Sequence, residues 1–228
     1  MKKFLREQIA IKTLVVAAAI SSTAVAFPVM QPSTGPYAAN PNPPEGHAIG
    51  PKQVLIIRVQ FPDAAETTTQ SAIESYMATV AQFYQKSSFG RVTLTTTVTS
   101  QVYTLPQSSA YYVTRATISD CLTALMDDAI AAAAADYAVD QTGGNWDRVG
   151  VCYATIPNVT GQKISGEYGS YGTKFFWITT PQGAGIINHE IGHTFGARHA
   201  NLWQVTDGDP VSPNATSVEY QEIGRAHV

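Results

Sequence analysis

The run His189-Glu190-Ile191-Gly192-His193-Thr194-Phe195-Gly196-Ala197-Arg198-His199 constrains this chain more than any other feature. On a helix, His189 and His193 stand four residues apart and project from one face, about one turn from each other. Two imidazoles at that spacing can bind a single tetrahedral Zn²⁺. Glu190 lies beside the pair, where a carboxylate can reach a water at the metal without being a ligand itself. Gly196 tolerates the left-handed conformation, so the helix can end there and His199 can swing back as a third ligand. Three histidines leave a fourth position for water, as in a catalytic zinc site rather than a closed structural one. The chain has only five histidines, and three of them fall in this window. A surface helix with scattered histidines is a poor account of that clustering.

The window resembles the signature of the metzincin metallopeptidases, H-E-x-x-H-x-x-G-x-x-H. Within that clan, the region from Val54 to about Ala200 looks most like the gametolysin-like secreted peptidases. The residues that carry this likeness are a hydrophobic strand ending in Phe-Pro-Asp (54–63) and the later Phe-Tyr-x-x-x-Ser-Phe-Gly (83–90). Pappalysin-like peptidases share the zinc signature. The resemblance implies an α+β catalytic domain, with a twisted mixed β-sheet packed on long helices that include the zinc-binding helix. It implies a zinc-dependent endopeptidase acting on protein or peptide substrates. Zn²⁺ would be held by His189, His193 and His199, with Glu190 as general base and Gly196 shaping the bend. Metzincins also place an antiparallel edge strand over the cleft, to which a substrate chain adds as one more strand. Residues 175–180 (FFWITT), just before the zinc helix, are the segment expected to fill that role.

A metzincin further needs a Met-turn after the third histidine, whose methionine floors the metal site. The methionines are Met1, Met30, Met77 and Met126, and none follows His199. The remaining residues are polar and turn-rich, without a closing helix. The expectation is a fragment that lacks the C-terminal subdomain, with a catalytic domain over 52–222. Residues 223–228 (IGRAHV) read as a translated sequencing adapter, so His227 is kept out of the site.

Hydrophobic residues make up 44% of the 228 and charged ones 14%, which fits a foldable globular chain and argues against wholesale disorder. A formal charge of −3, with no basic run beyond the first dozen residues, gives no sign of nucleic-acid binding. Those first residues are a targeting segment. Lys2, Lys3, Arg6 and Lys12 precede a short apolar core at 14–20 (LVVAAAI) and the small-residue site Ala24-Val25-Ala26. The apolar run is far shorter than the ~20 residues that span a bilayer. Residues 1–26 therefore read as a secretory signal, and the mature protein is expected to be secreted, extracellular or periplasmic, and monomeric. Export would place Cys121 and Cys152 in a disulfide-permissive compartment. A bridge between them and two small buried core residues are equally open readings.

Taken in order, residues 27–51 form a Pro-rich linker or vestigial pro-segment with no core of its own. His47 within it is expected to be a solvated loop histidine, not a latency ligand. Residues 54–61 (VLIIRVQF) suit a strand buried on both faces. Ser71 and Glu74 have capping-box spacing, and Ile73, Tyr76, Met77, Val80, Phe83 and Tyr84 form a helical core stripe ended by Gly90. Residues 91–105 read as one further strand. Thr117 and Asp120 cap a helix with an apolar face of Ile118, Cys121, Leu122, Leu125, Met126, Ala129 and Ile130. Asp127, Asp128 and Asp136 fall on its solvated side. Residues 149–156 (VGVCYATI) make another buried strand, and the glycine- and tyrosine-rich 161–172 a surface loop near the cleft. Asn158-Val159-Thr160 and Asn214-Ala215-Thr216 are glycosylation sequons. The zinc helix, about 186–195, should be anchored on the sheet by Ile187, Ile191 and Phe195.

Three readings compete with a peptidase: a secreted zinc-containing binding or adhesion protein, an inactive peptidase relic, and a metal-dependent hydrolase of other substrates. The intact Glu190 argues against the first two, because a structural metal gains nothing from a carboxylate that is not a ligand.

Overall fold

Strand β1 (Gly50–Gln60) is the inner strand on which the sheet is built. Its aliphatic run does not alternate with polar residues, so both faces must be covered. Val54, Leu55, Ile56, Ile57 and Val59 are all fully buried. The computed structural model describes residues 35–44, 46–156, 158–179, 183–199, 201–204 and 216–219. The expected signal segment 1–26, the first part of the Pro-rich stretch, Asn214 and the 223–228 tail lie outside the described residues.

After β1 come α1 (Gln70–Ser87), β2 (Val92–Val98), β3 (Tyr103–Thr104), α2 (Ser109–Val113), α3 (Ile118–Tyr137), β4 (Arg148–Tyr153), β5 (Tyr168–Gly169), β6 (Phe175–Thr179) and α4 (Ala184–Thr194). The sheet order is β2-β1-β4-β6-β5, with β3 also beside β1. Every pairing in it is parallel except β5 with β6. A hairpin of β7 (Asn201–Gln204) and β8 (Thr216–Glu219) forms a separate antiparallel pair. The architecture is mixed α/β, and the long helices cover both faces of the sheet instead of gathering on one. Among the described residues no helix is long and apolar enough to cross a membrane.

Because side chains alternate along a strand, β1 feeds two separate cores. Leu55, Ile57 and Val59 join Leu122, Leu125, Met126 and Ala129 of α3. Val54 and Ile56 join Ile73, Met77 and Val80 of α1 and Ile187 and Ile191 of α4. This division decides the state of the cysteines. Cys121 lies in the α3 layer and Cys152 in the layer of α1 and α4, with the sheet between them. Both are free, buried thiols, so the bridge left open by the sequence is not made. Burial pushes both thiols above their ordinary pKa.

Local hydrogen bonding corrects several expected boundaries. Helix α1 is capped by Thr69, whose hydroxyl accepts from the Ala72 amide at 3.2 Å, and the Ser71–Glu74 box is not used. At Thr117 both halves of the expected box are present. The strand expected over 91–105 is divided at Thr99. Its Oγ1 accepts from the Arg58 amide at 2.9 Å and donates to the Gln101 carbonyl at 2.9 Å. A side chain thus takes a ladder position, and the chain rejoins β1 only at β3. Phe83, expected in the core, is 51% exposed.

The edge strand is also not the one expected. All five residues of β6 are buried, and it lies between β4 and β5. The antiparallel edge falls to β5, inside the stretch expected to be a surface loop. Tyr168, Gly169 and Ser170 there are buried: Gly169 lies against the α4 backbone, and the Ser170 hydroxyl donates to the Tyr37 carbonyl of the Pro-rich segment. Residues 35–49 do have a place in the core. Tyr37 is fully buried, with its ring edge-on to Phe175 at 4.6 Å between centroids. Its hydroxyl donates to Asp127 at 2.6 Å. The Asn40 amide donates to the Tyr171 carbonyl at 2.7 Å. The acidic side of α3 is correspondingly engaged, since Tyr112 donates to Asp128 at 2.6 Å and Tyr103 to Asp136 at 2.7 Å.

Truncating Tyr37 to Ala should lower unfolding free energy in urea by about 3–5 kcal/mol, the cost of deleting a buried aromatic ring. An unchanged midpoint would show that the segment only rests on the surface. In denaturant without reductant, a thiol-reactive dye should titrate both Cys121 and Cys152.

Candidate metal centre

Helix α4 is held from three directions before any histidine is considered. Ile187 and Ile191 are fully buried in the layer that contains Phe176 and Ile178. Tyr84 of α1 donates its hydroxyl to the Asn188 carbonyl at 2.9 Å. On the β5 side the backbone of Gly169 comes so close that a Cβ there would overlap the Glu190 carbonyl and crowd the His193 Cβ. Only glycine permits that approach. The apolar spacing of the helix thus becomes a fixed platform.

The helix ends in a paired-hydrogen-bond reversal. The Ala197 amide donates to the Gly192 carbonyl at 3.0 Å, and the Gly196 amide to the His193 carbonyl at 2.9 Å. Gly196 has φ +94°, the left-handed position this Schellman geometry demands. The reversal sends the chain back along the helix end and returns His199 to the other two histidines. His189 Nε2 lies 3.1 Å from His193 Nε2 and 3.2 Å from His199 Nε2.

Three imidazole nitrogens gathered this closely match the donor set of a single cation. Tetrahedral Zn–N bonds of ~2.0–2.1 Å separate two ligand nitrogens by roughly 3.3 Å, near the observed spacing. The tautomer fits as well. His193 Nδ1–H donates to the Ala197 carbonyl at 2.8 Å, which leaves Nε2 with its lone pair for a metal. Burial, followed by the neighbouring His193 and His199, pushes the His189 pKa down to about 4. The ring is therefore neutral across the physiological range, the form that binds metal. These residues fit Zn²⁺, with no thiolate or carboxylate in the set.

Glu190 is 7% exposed. Burial, and then the Glu167 carboxylate, raise its pKa to about 8. Glu167 itself accepts from Thr179 Oγ1 at 2.6 Å. Beside His189 and His193 lies a cavity of about 250 Å³, bordered also by Phe83, Tyr84 and Phe195, and this accounts for the exposed ring of Phe83. The structure thus gathers all three expected ligands, with Glu190 next to His189 and Gly196 at the bend. Glu167, Gly169 and Arg148 were not found from the sequence. Glu167 and Gly169 sit in a stretch without periodicity, and Arg148 precedes the apolar run of β4 as an ordinary boundary charge.

The profile of the Reprolysin_5 family, metallo-peptidase family M12, matches residues 58–221. The chain belongs to this family. The three-histidine cluster described above fits a zinc-binding site of a metallopeptidase. Among solved structures, archaemetzincin from Methanopyrus kandleri aligns with a TM-score of 0.39 and 14% identity, covering 69% of this chain and 78% of that one. No curated protein matches the metallopeptidase.

Gly169→Ala should cost about 1–3 kcal/mol in unfolding free energy through overpacking against α4. Gly166→Ala, where an added Cβ meets nothing within 4 Å, should be near neutral. Equal midpoints for the two variants in urea would refute the close approach.

Proposed function

We propose that this metallopeptidase is a secreted zinc-dependent endopeptidase of metzincin type, most like the gametolysin-like peptidases. The observation that carries this reading is the convergence of His189, His193 and His199 with Nε2 separations of 3.1 and 3.2 Å; Glu190, the residue after His189, is buried. The basic and apolar pattern of residues 1–26 supports export.

Zinc bound there would supply a Lewis acid that polarises a scissile carbonyl and lowers the pKa of water toward ~7. The chain's own residues do the rest. Imidazole ligands bind a metal in the neutral form and would leave the cation its full charge. Glu190 takes a proton from the attacking water and hands it to the leaving amine nitrogen. The cavity bordered by Phe83 and Phe195 offers room for an apolar substrate side chain next to the scissile bond. Because β6 is enclosed, β5 is the edge to which an extended peptide would add.

Purified protein should cleave casein or a peptide library internally, lose that activity to a chelator and regain it with zinc. Glu190→Gln should lower turnover by about 10²–10⁴ while zinc content by atomic absorption stays stoichiometric. Full turnover in Glu190→Gln would remove the base role from Glu190. Zinc without any hydrolysis in the unaltered protein would favour the binding-protein reading.

A further inference from the structure

Arg148 opens β4 and is 1% exposed, yet its partners are all neutral oxygens. Nε donates to Thr194 Oγ1 at 2.8 Å, one terminal nitrogen to the Asp147 carbonyl at 2.7 Å and the other to the His47 carbonyl at 2.9 Å. The guanidinium carbon sits 4.4 Å from the centroid of the Phe195 ring, within cation–π range. Burial lowers its pKa to about 10, so it stays charged at neutral pH. A buried charge on neutral acceptors is costly, and its contacts show what it holds.

The Nε bond of Arg148 and its ring contact fall on the last turn of α4, and its bond to the His47 carbonyl holds a residue that also reaches that turn. Thr194 Oγ1 accepts from Arg148 and donates to the Ile191 carbonyl at 2.7 Å. His47 Nε2–H donates to the Thr194 carbonyl at 2.7 Å. The Gly172 amide donates to the His193 carbonyl at 2.9 Å. Phe195 has Arg148 on its ring and Tyr84 packed against it at 5.0 Å between centroids. Two of the carbonyls that a helix end leaves unpaired are therefore taken up by the N-terminal segment and by the turn after β5, while β4 holds the Thr194 hydroxyl and the Phe195 ring. This joint lies between His193 and Gly196, where the chain reverses to bring His199 back to His189.

We propose that Arg148 and His47 are positioning residues of the metal centre, locking the C-terminal turn of α4 so that His199 meets the helix-borne pair. This rests on the zinc reading above. Neither residue touches the ion or the reacting atoms. They set the angle at which the third imidazole arrives, as outer partners do for metal ligands generally. His47 thus links the N-terminal segment to the site, through the helix end and not through the open ligand position.

The test compares zinc affinity by chelator competition, and the visible spectrum of the Co²⁺-substituted protein, in the full chain and its variants. Arg148→Lys keeps the charge but not the fork that spans three oxygens, and His47→Ala removes only the donor to Thr194. Each should weaken zinc binding about 10-fold or more and shift the cobalt bands. His47→Gln, whose amide can still donate, should recover most of the loss. Tyr37→Phe perturbs the same segment away from α4, so it should lower the unfolding midpoint with affinity and spectrum unchanged. Native affinity and spectrum in both Arg148→Lys and His47→Ala, whatever their midpoints, would overturn the proposal. An unaltered chain that takes up no zinc would overturn the metal reading and this inference with it.

Discussion

Three imidazole nitrogens do not gather within 4.8 Å of one another unless something outside them enforces it. In the absence of an ion each prefers water, and burial makes any charge on them expensive. The spacing seen among His189, His193 and His199 therefore comes from the platform, not from the rings. Two of the three positions come from helical geometry alone, since residues four apart share a face. The third depends on a reversal through Gly196, and on that reversal being the same in every molecule.

The platform is built from opposite properties. On the sheet side it is apolar and close-packed, with Ile187 and Ile191 locked among Phe176 and Ile178. At its C-terminal end it is polar and buried, with Arg148 bonded to the Thr194 hydroxyl, and the Thr194 hydroxyl and His47 bonded in turn to the Ile191 and Thr194 carbonyls. Apolar packing resists displacement of the helix as a body but leaves its end free to fray. Directional hydrogen bonds resist the fraying. Gly169 adds a third restraint by bringing backbone against backbone, with no flexible side chain between.

The parts of this arrangement readable from the sequence are those in which local chemistry and final position coincide. The cluster of His189, His193 and His199 follows from spacing, and β1 from an unbroken aliphatic run. The cap at Thr117 follows from the reciprocal bonds its motif permits. Where a neighbour distant in sequence decides the outcome, the pattern was silent or misleading. Tyr37 sits among prolines and glycines, a context that signals exposure, yet Phe175 and Asp127 give it a core position. The acidic residues of α3 look solvated until the tyrosines that reach them are placed. The order of β5 and β6 could not be judged from strand hydrophobicity, because an edge strand whose faces are buried and an inner strand are equally apolar. Thr99 interrupts β2 through a side-chain bond that no periodicity reports.

The docking of residues 35–49 also limits how the amino terminus can be matured. The ring of Tyr37 plugs the space under Phe175 and Trp177, and the same stretch ends at the carbonyl of Thr194. A propeptide that is cut away must part from its enzyme without taking a piece of the interior along. Trimming past this tyrosine would open a void beside the sheet, and trimming on past His47 would also take the donor from the Thr194 carbonyl at the end of α4.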